Sequence, residues 1–191
     1  KAKGVPSECD QVWVCDTTYL MTENGWHYLA TVMDLCSRRI VGWDVSQSND
    51  AELVCDALYE AVRTRKGFIP EGLILHSDRG STYASGKHRE DLAKFGIEQS
   101  MSAKGNCYDN AAQESFYGRY KTSSVGNYVF ADLEELRANA FEYIECYYNT
   151  YRKHSSLGYK TPMQIESKKF PPRGKEFGHA VLHSHHATNN N

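Results

Sequence analysis

The stretch VWVCDTTYL, Val12–Leu20, decides the fold, because it predicts a β-strand that carries a carboxylate where a core residue belongs. Its β-branched and aromatic residues favour an extended strand. Asp16 alternates with Val12 and Val14, so the pattern directs all three side chains to the same side of the sheet. An unpaired carboxylate buried there would be costly or would become protonated. We therefore expect a cation beside Asp16.

The residues that follow predict an antiparallel meander and then a helix. Asn24-Gly25 is a hairpin turn signal between the first strand and a second strand at Trp26–Leu35. A polar turn leads to a third strand at Ile40–Ser46. Asn49 or Asp50 caps the helix that comes next, in which apolar residues recur at helical spacing.

The second half of the chain predicts two further strands and three further helices. A short apolar run, Leu73–Ser77, predicts a buried strand that pairs in parallel with an earlier one, because a whole helix separates them. A helix at His88–Phe95 and a strand at Ile97–Ser100 follow. A third helix runs through Glu114 to about Lys121, and the last spans about residues 132–149. The order predicts an α/β fold of the ribonuclease H-like class, a five-stranded mixed sheet with helices on both faces.

Length and composition indicate one globular domain. The 191 residues suffice for one full core, and 40% hydrophobic with 24% charged residues is ordinary for a soluble protein. No stretch is apolar enough for a membrane span. None of the six cysteines forms a C-x-x-C pair, so we expect reduced cysteines and a cytoplasmic protein. The first residues, KAKG, lack a starting Met, and we expect a piece of a longer protein.

Charge alone does not decide the partner. The formal net charge is −2, which is unusual for a nucleic-acid enzyme. Residues 151–175 nevertheless hold seven basic residues against one acidic residue. This stripe either follows a phosphate backbone or is a solvated, positively charged tail.

Three carboxylates lie at positions that suggest a common site. Asp78 directly follows the fourth strand, where loops of parallel sheets bind ligands, and Glu114 lies on the helix after a Gly-Asn segment. Taken singly, Asp78 could cap a turn through Arg79-Gly80 and Glu114 could form a surface ion pair. Together with Asp16 they offer the oxygen ligands that Mg²⁺ prefers. Two such ions about 3.5–4 Å apart can serve in-line displacement at phosphorus.

A lysine follows on the helix of Glu114. Lys121 comes seven residues later, two turns along on nearly the same face. It either reaches a phosphate beside the metal ions or faces solvent.

Five strings, in order, carry a family resemblance: VWVCDTTYL, YLATVMDLCSRRIVGWDVS, HSDRGSTY, SMSAKGNCYDNAAQESF and YYNTYRKHSSLGYKTP. They resemble the integrase core of bacterial insertion-sequence transposases with two overlapping reading frames, in the retroviral-integrase superfamily. The resemblance covers about Val12 to Ile165, and 35 residues separate Asp78 from Glu114, the family's spacing.

The resemblance implies a DDE-type transposase. Asp16, Asp78 and Glu114 become the catalytic, metal-binding triad, with two Mg²⁺ ions that Mn²⁺ can replace, and Lys121 matches the family's helix lysine. The implied reaction is cleavage at transposon ends followed by transfer of the 3′-hydroxyl to target DNA. We expect a homo-oligomer on DNA in the bacterial cytoplasm, associated with the nucleoid. Further expected DNA contacts are Lys104, Asn106, Arg152 and Lys153, of which the last two could instead face a partner subunit.

The same patterns divide the chain into three parts. We expect a linker at residues 1–11, the catalytic core at 12–165 and a basic, irregular tail at 166–191. Two other functions use the same acidic core and stay open: a ribonuclease H-like nuclease without strand transfer, and a non-catalytic subunit that binds DNA or assembles with others.

Overall fold

The computed structural model describes residues 6–101 and 111–167, which build one mixed sheet. Its strands are β1 Val12–Thr22, β2 Gly25–Asp34, β3 Ile40–Ser46, β4 Ile74–Ser77 and β5 Glu98–Met101. They lie in the order β3-β2-β1-β4-β5. β1, β2 and β3 pair antiparallel, whereas β4 is parallel to β1 and β5 is parallel to β4. The predicted meander and the predicted parallel fourth strand are both confirmed.

Five α-helices accompany the sheet in the described residues. They are α1 Ala51–Thr64, α2 Gly86–Lys94, α3 Ala111–Tyr120, α4 Leu133–Phe141 and α5 Pro162–Glu166. Asp50 caps α1 by accepting hydrogen bonds from the amides of Glu52 and Leu53.

Two of the helices continue in a wider form that the sequence pattern does not predict. A π-helical segment at Lys121–Val125 follows α3, and another at Glu142–Tyr148 follows α4. In the first segment, the Thr122 and Ser123 hydroxyls donate to the carbonyls of Gly118 and Arg119 at 2.9 and 2.6 Å. Such back-bonding competes with the regular helical pattern.

Side chains that alternate along β1 divide the core between two faces of the sheet. Trp13 and Cys15 pack with residues of α1 and α2, such as Leu58 and Leu92. Val14 packs on the other face, with residues of α3 and α4 such as Phe116 and Leu136. Helices therefore cover both faces, as predicted. Asp16 shares the alternation of Val14 and so lies on the α3 face.

Helix α1 lies close against β3 at Gly42. A Cβ atom on Gly42 would lie less than 3.0 Å from the Ala57 carbonyl oxygen and the Ala61 amide nitrogen. Only a residue without a side chain permits this approach.

Arg65, at the end of α1, binds both ends of the described fold. Its Nε lies 2.8 Å from Oδ1 of Asp10, and its Nη2 lies 2.6 Å from Oε1 of Glu166. Arg39 Nη1 contacts the other oxygen of Glu166, also at 2.6 Å. Residues immediately outside the predicted 12–165 core thus pack against it, while most of the predicted tail lies outside the described residues. Within the described ranges, no helix has the length and apolar character to cross a membrane.

Candidate active site

Asp16 of β1 and Asp78, which directly follows β4, come at corresponding positions along two neighbouring strands. The parallel register of β1 and β4 ends with Val14 opposite His76. Asp16 and Asp78 each come two residues after that pair. The register therefore puts the first two predicted site residues at the point where β4 ends.

The charges of both aspartates act on the thiol of Cys15. Burial is the main cause that raises the pKa of the Cys15 thiol well above its usual range. The negative charges of Asp16 and Asp78 raise the pKa further. The site therefore carries concentrated negative charge, which favours a cation.

Local hydrogen bonds orient the two aspartates. Asp16 is half-buried, and its Oδ1 accepts from the amide of Thr17 at 2.8 Å. Asp78 is exposed, and its Oδ1 accepts from the amide of Gly80 at 2.8 Å. A Cβ on Gly80 would lie 2.9 Å from that oxygen. The turn-capping interpretation of Asp78 is thus confirmed for one oxygen, while Oδ2 has no hydrogen-bond donor among the described residues.

Buried polar side chains fix α3, which carries Glu114, to the strand that carries Asp16. Gln113 Nε2 donates to the Val14 carbonyl at 2.9 Å, and the Tyr117 hydroxyl donates to the Asp16 carbonyl at 2.6 Å. Thr31 of β2 joins them, 3.0 Å from Gln113 Oε1 and 2.8 Å from the Tyr117 hydroxyl.

Gln113 and Tyr117 hold α3 against β1, a contact that the sequence patterns do not predict. Their i, i+4 spacing on a helix and the polar Thr31 within an apolar strand were the available signals. Glu114 itself is exposed, and it forms no ion pair with a described residue.

Lys121 contacts an aromatic ring at the end of α3. Its Nζ lies 4.4 Å from the centroid of the Tyr19 ring, a cation–π contact. Burial lowers the pKa of Lys121. The Tyr19 ring in turn meets Trp26 edge to face at 5.1 Å. Lys121 is therefore partly buried against Tyr19, whereas the solvent-facing interpretation expects a fully exposed side chain.

The other predicted contacts are dispersed. Arg152 is half-buried and Lys153 is exposed, both after the second π-helical segment. Lys104 and Asn106 lie outside the described residues. His76, next to the site on β4, has its Nδ1 3.1 Å from the hydroxyl of Ser100 on β5.

The triad fits a divalent metal ion in ligand type and access. Its three carboxylates offer hard oxygen ligands, and Asp78 and Glu114 are open to solvent. The three carboxylates lie too far apart to surround a single ion together. Among the described residues, one oxygen from each of Asp16, Asp78 and Glu114 does not form a set in which all distances are within 4.8 Å.

A different group, Cys9, Asp34 and Cys36, does meet that distance criterion. Its donors are less suited to a metal. Asp34 already accepts hydrogen bonds from the amides of Asp10 and Ser37 at 2.5 and 2.7 Å. Burial, followed by the charge of Asp34, raises the pKa of Cys9 to about 12, so without a metal its side chain is a thiol at neutral pH.

Solved structures share the architecture described above. The simian T-cell lymphotropic virus intasome chain, solved in complex with a PP2A regulatory subunit, superposes with a TM-score of 0.68 at 17% identity, over 90% of this chain and 58% of that one. The HTLV-2 integrase catalytic core domain, solved with magnesium, gives 0.58 at 15% identity, over 82% of this chain and 95% of that one. The predicted ribonuclease H-like fold is confirmed, and it is the fold of integrase catalytic cores.

Sequence comparison identifies the family. The integrase core domain models match residues 6–107 and 95–162. The chain therefore belongs to the integrase core domain family. It is 45% identical over 159 residues to the transposase InsF for insertion sequence IS3A of Escherichia coli (strain K12), over 83% of this chain and 54% of that protein. The chain thus spans about half the length of the curated relatives that it matches.

Proposed function

We propose that this chain is the catalytic core of a DDE-type DNA transposase, with Asp16, Asp78 and Glu114 as its catalytic, metal-binding residues. The observation that carries the proposal is that Asp16 and Asp78 each come two residues after the last pair of β1 and β4, while α3 is hydrogen-bonded to β1. Family membership and the 45% identical transposase support it.

The reaction is a pair of in-line displacements at phosphorus. A phosphodiester at the transposon end is hydrolysed, and the freed 3′-hydroxyl then attacks a strand of target DNA. Two Mg²⁺ ions, replaceable by Mn²⁺, would activate the attacking oxygen and stabilise the leaving oxygen. The HTLV-2 integrase core, which shares the fold, was solved in complex with magnesium, and this supports the choice of metal.

The chain's own residues hold the carboxylates ready for the ions. The Gly80 amide fixes one oxygen of Asp78 and leaves the other for a ligand. Gln113 and Tyr117 set the position of α3 and with it Glu114. Burial, followed by the charge of Asp16, raises the pKa of Tyr117 well above its usual range. Tyr117 therefore stays protonated and keeps donating to the Asp16 carbonyl.

The partners are transposon-end and target DNA. Lys121, Lys104, Asn106, Arg152 and Lys153 are the proposed DNA contacts. We propose a homo-oligomer on DNA, supported by the intasome among the structural neighbours. The proposed site of action is the bacterial nucleoid. The proposed catalytic unit spans residues 12–165, between a linker at 1–11 and a basic tail at 166–191.

Strand joining tests the proposal. The 191-residue chain is incubated with a pre-cleaved transposon end, target DNA and Mg²⁺. Asp16→Asn should lower the joining rate at least roughly a hundredfold, since several kcal/mol of transition-state stabilisation are lost. Asp56→Asn, an exposed aspartate on α1, is the control and should join normally.

Each contrary result identifies another function. Normal joining by Asp16→Asn would refute the triad. Cutting without joining by the wild type would indicate a ribonuclease H-like nuclease. DNA binding without cutting or joining would indicate a non-catalytic subunit.

A further inference from the structure

A basic cavity lies beside α3, and Ser115, the residue after Glu114, is part of its lining. Its volume is about 320 Å³. Ser115 and Arg119 of α3 line one side, and the buried rings of Phe116 and Tyr148 also contribute to its lining. The remaining polar lining residues are Arg38, Arg152, His154, Ser155 and Ser156.

Three arginines converge on this cavity from separate parts of the chain. Arg38 belongs to the turn between β2 and β3, Arg119 to α3, and Arg152 to the segment after the second π-helix. None of the three forms an ion pair with a carboxylate of the described residues, in contrast to Arg65 and Arg137, which do. Like charges gathered without a counter-ion raise the free energy of the fold. The cluster therefore favours an anion.

Unpaired buried polar atoms and backbone strain at the cavity support the same conclusion. Arg152 Nε and His154 Nε2 are buried without a hydrogen-bond partner among the described residues. A buried polar group left unpaired costs about 1–3 kcal/mol. Arg38 also adopts a left-handed backbone conformation, with φ 62°, that is strained for a residue with a side chain.

His154 is subject to the charges of all three arginines. Burial, followed by the charges of Arg152, Arg38 and Arg119, lowers the pKa of His154 to about 4. Its ring packs edge to face on Tyr148, with centroids 4.8 Å apart. The imidazole is thus neutral at pH 7, and serine hydroxyls beside the guanidinium groups complete a set of donors. Planar guanidinium forks and hydroxyls match the oxygens of a phosphate group.

We propose that this cavity binds a backbone phosphate of the DNA strand engaged at the triad, an inference that rests on the proposed transposase function. Ser115, which lines the cavity, directly follows Glu114 on α3. Arg119 lies about 7.5 Å further along the helix axis than Glu114 and about 140° around it. A strand engaged at Glu114 therefore reaches the cavity by following the surface of α3 around the helix.

The salt dependence of DNA binding tests the assignment. We would measure the dissociation constant of the 191-residue chain for a transposon-end duplex, without divalent metal, over a series of salt concentrations. Arg119→Gln should weaken binding and reduce the slope of log affinity against log salt by about 1, the effect of one lost phosphate contact. Arg119 is exposed and has no ion pair in the described part of the chain, so the melting temperature of the variant should not fall.

Arg63→Gln is the matched control. Arg63 is also an exposed arginine, and it pairs with Glu60 near the end of α1, on the side of the sheet where Arg65 meets Asp10. The same charge is removed, but the slope and the affinity should stay at the wild-type values.

The outcomes separate the two proposals. If the wild type joins strands but Arg119→Gln binds DNA like the wild type, the cavity assignment is overturned and the transposase function stands. If the wild type neither binds nor joins DNA, both are overturned. If inorganic phosphate stabilises the wild type more than Arg119→Gln but DNA binding is unchanged, the cavity is a site for free phosphate, which also overturns the assignment.

Discussion

Tyr117 donates its hydroxyl hydrogen to the carbonyl of Asp16 across 2.6 Å, so a helix residue holds the backbone of the strand that carries the first carboxylate. The same hydroxyl lies 2.8 Å from that of Thr31 on β2. The distance between α3 and β1, and hence the distance of Glu114 from the aspartates, depends on this buried junction.

Tyr117→Phe should weaken both the fold and the site. It leaves buried hydrogen-bonding groups unpaired, so we expect the free energy of unfolding to fall by about 1–3 kcal/mol. The single-turnover rate of strand joining should fall as well, because Glu114 is less firmly placed. Urea denaturation and a joining assay measure the two effects.

The control for that change is Tyr128→Phe. Tyr128 is exposed and donates to Glu135 at 2.6 Å, far from the junction. The Tyr128→Phe variant should lose little stability, and its rate of strand joining should be unchanged. Equal effects of the two variants would contradict a positioning role for Tyr117.

Glu166→Gln should lower stability in a pH-dependent way. Burial alone would raise the pKa of Glu166, but the hydrogen bonds and charges of Arg65 and Arg39 outweigh it and lower the pKa below 4.5. A carboxylate with a depressed pKa stabilises the fold above its unfolded pKa, and that stabilisation is lost as the pH falls through its folded pKa. At pH 7 the variant should therefore be less stable by about 3 kcal/mol.

The difference between wild type and Glu166→Gln should shrink as the pH is lowered below about 4.5. Chemical denaturation at a series of pH values measures it. Glu60→Gln removes an exposed ion pair with Arg63 and should cost less than about 1 kcal/mol at every pH. A difference for Glu166→Gln that did not change with pH would show that the ionised carboxylate is not the cause.

Two glycines should respond in opposite ways to alanine. Gly42→Ala forces α1 away from β3, and overpacking of this kind costs about 1–3 kcal/mol or more. Gly118 lies in α3 with no atom within 4 Å of an added Cβ. Gly118→Ala should therefore stabilise the protein by about 0.5–1 kcal/mol. Thermal unfolding measures both effects. An unchanged melting temperature for Gly42→Ala would contradict the close approach of α1 to β3 at this residue.

Mg²⁺ should stabilise the wild type. A ligand at about a hundred times its dissociation constant adds about 2.7 kcal/mol of stability. For a domain of this size that is a rise in melting temperature of roughly 5–10 °C. Asp16→Asn should lose most of the rise, whereas Cys36→Ser should keep it, because the proposed ligands are the triad and not the cysteine group. The reverse result would place the metal at Cys9, Asp34 and Cys36.

Local patterns in the sequence predicted the sheet well. Alternation along Val12–Leu20, the Asn24-Gly25 turn and the separation of β4 from the meander by a helix each depend on neighbouring residues, and these parts of the fold were confirmed. Predicted strand ends differ by one or two residues, as at the start of β4, which lies at Ile74 rather than Leu73. The metal-binding role of the triad stays a prediction.

Contacts between distant residues were not predictable in this way. Arg65 meets Glu166 across 101 positions, and Thr31 meets Gln113 across 82. Periodicity shows that a polar residue interrupts an apolar pattern, but it does not show which other polar residue it will meet. The basic cavity was not predicted for the same reason, since Arg38 and Arg152 come together only through the fold.

Arg65 also determines how the fold bears mechanical load. Because Asp10 and Glu166 both bind its guanidinium, the chain enters and leaves the described fold at one point. Asp16 lies four residues into β1, about 13 Å along the strand from its start at Val12. Tension applied at Asp10 or Glu166 therefore acts first on the two ion pairs of Arg65 at the end of α1, before it reaches the strand that carries Asp16.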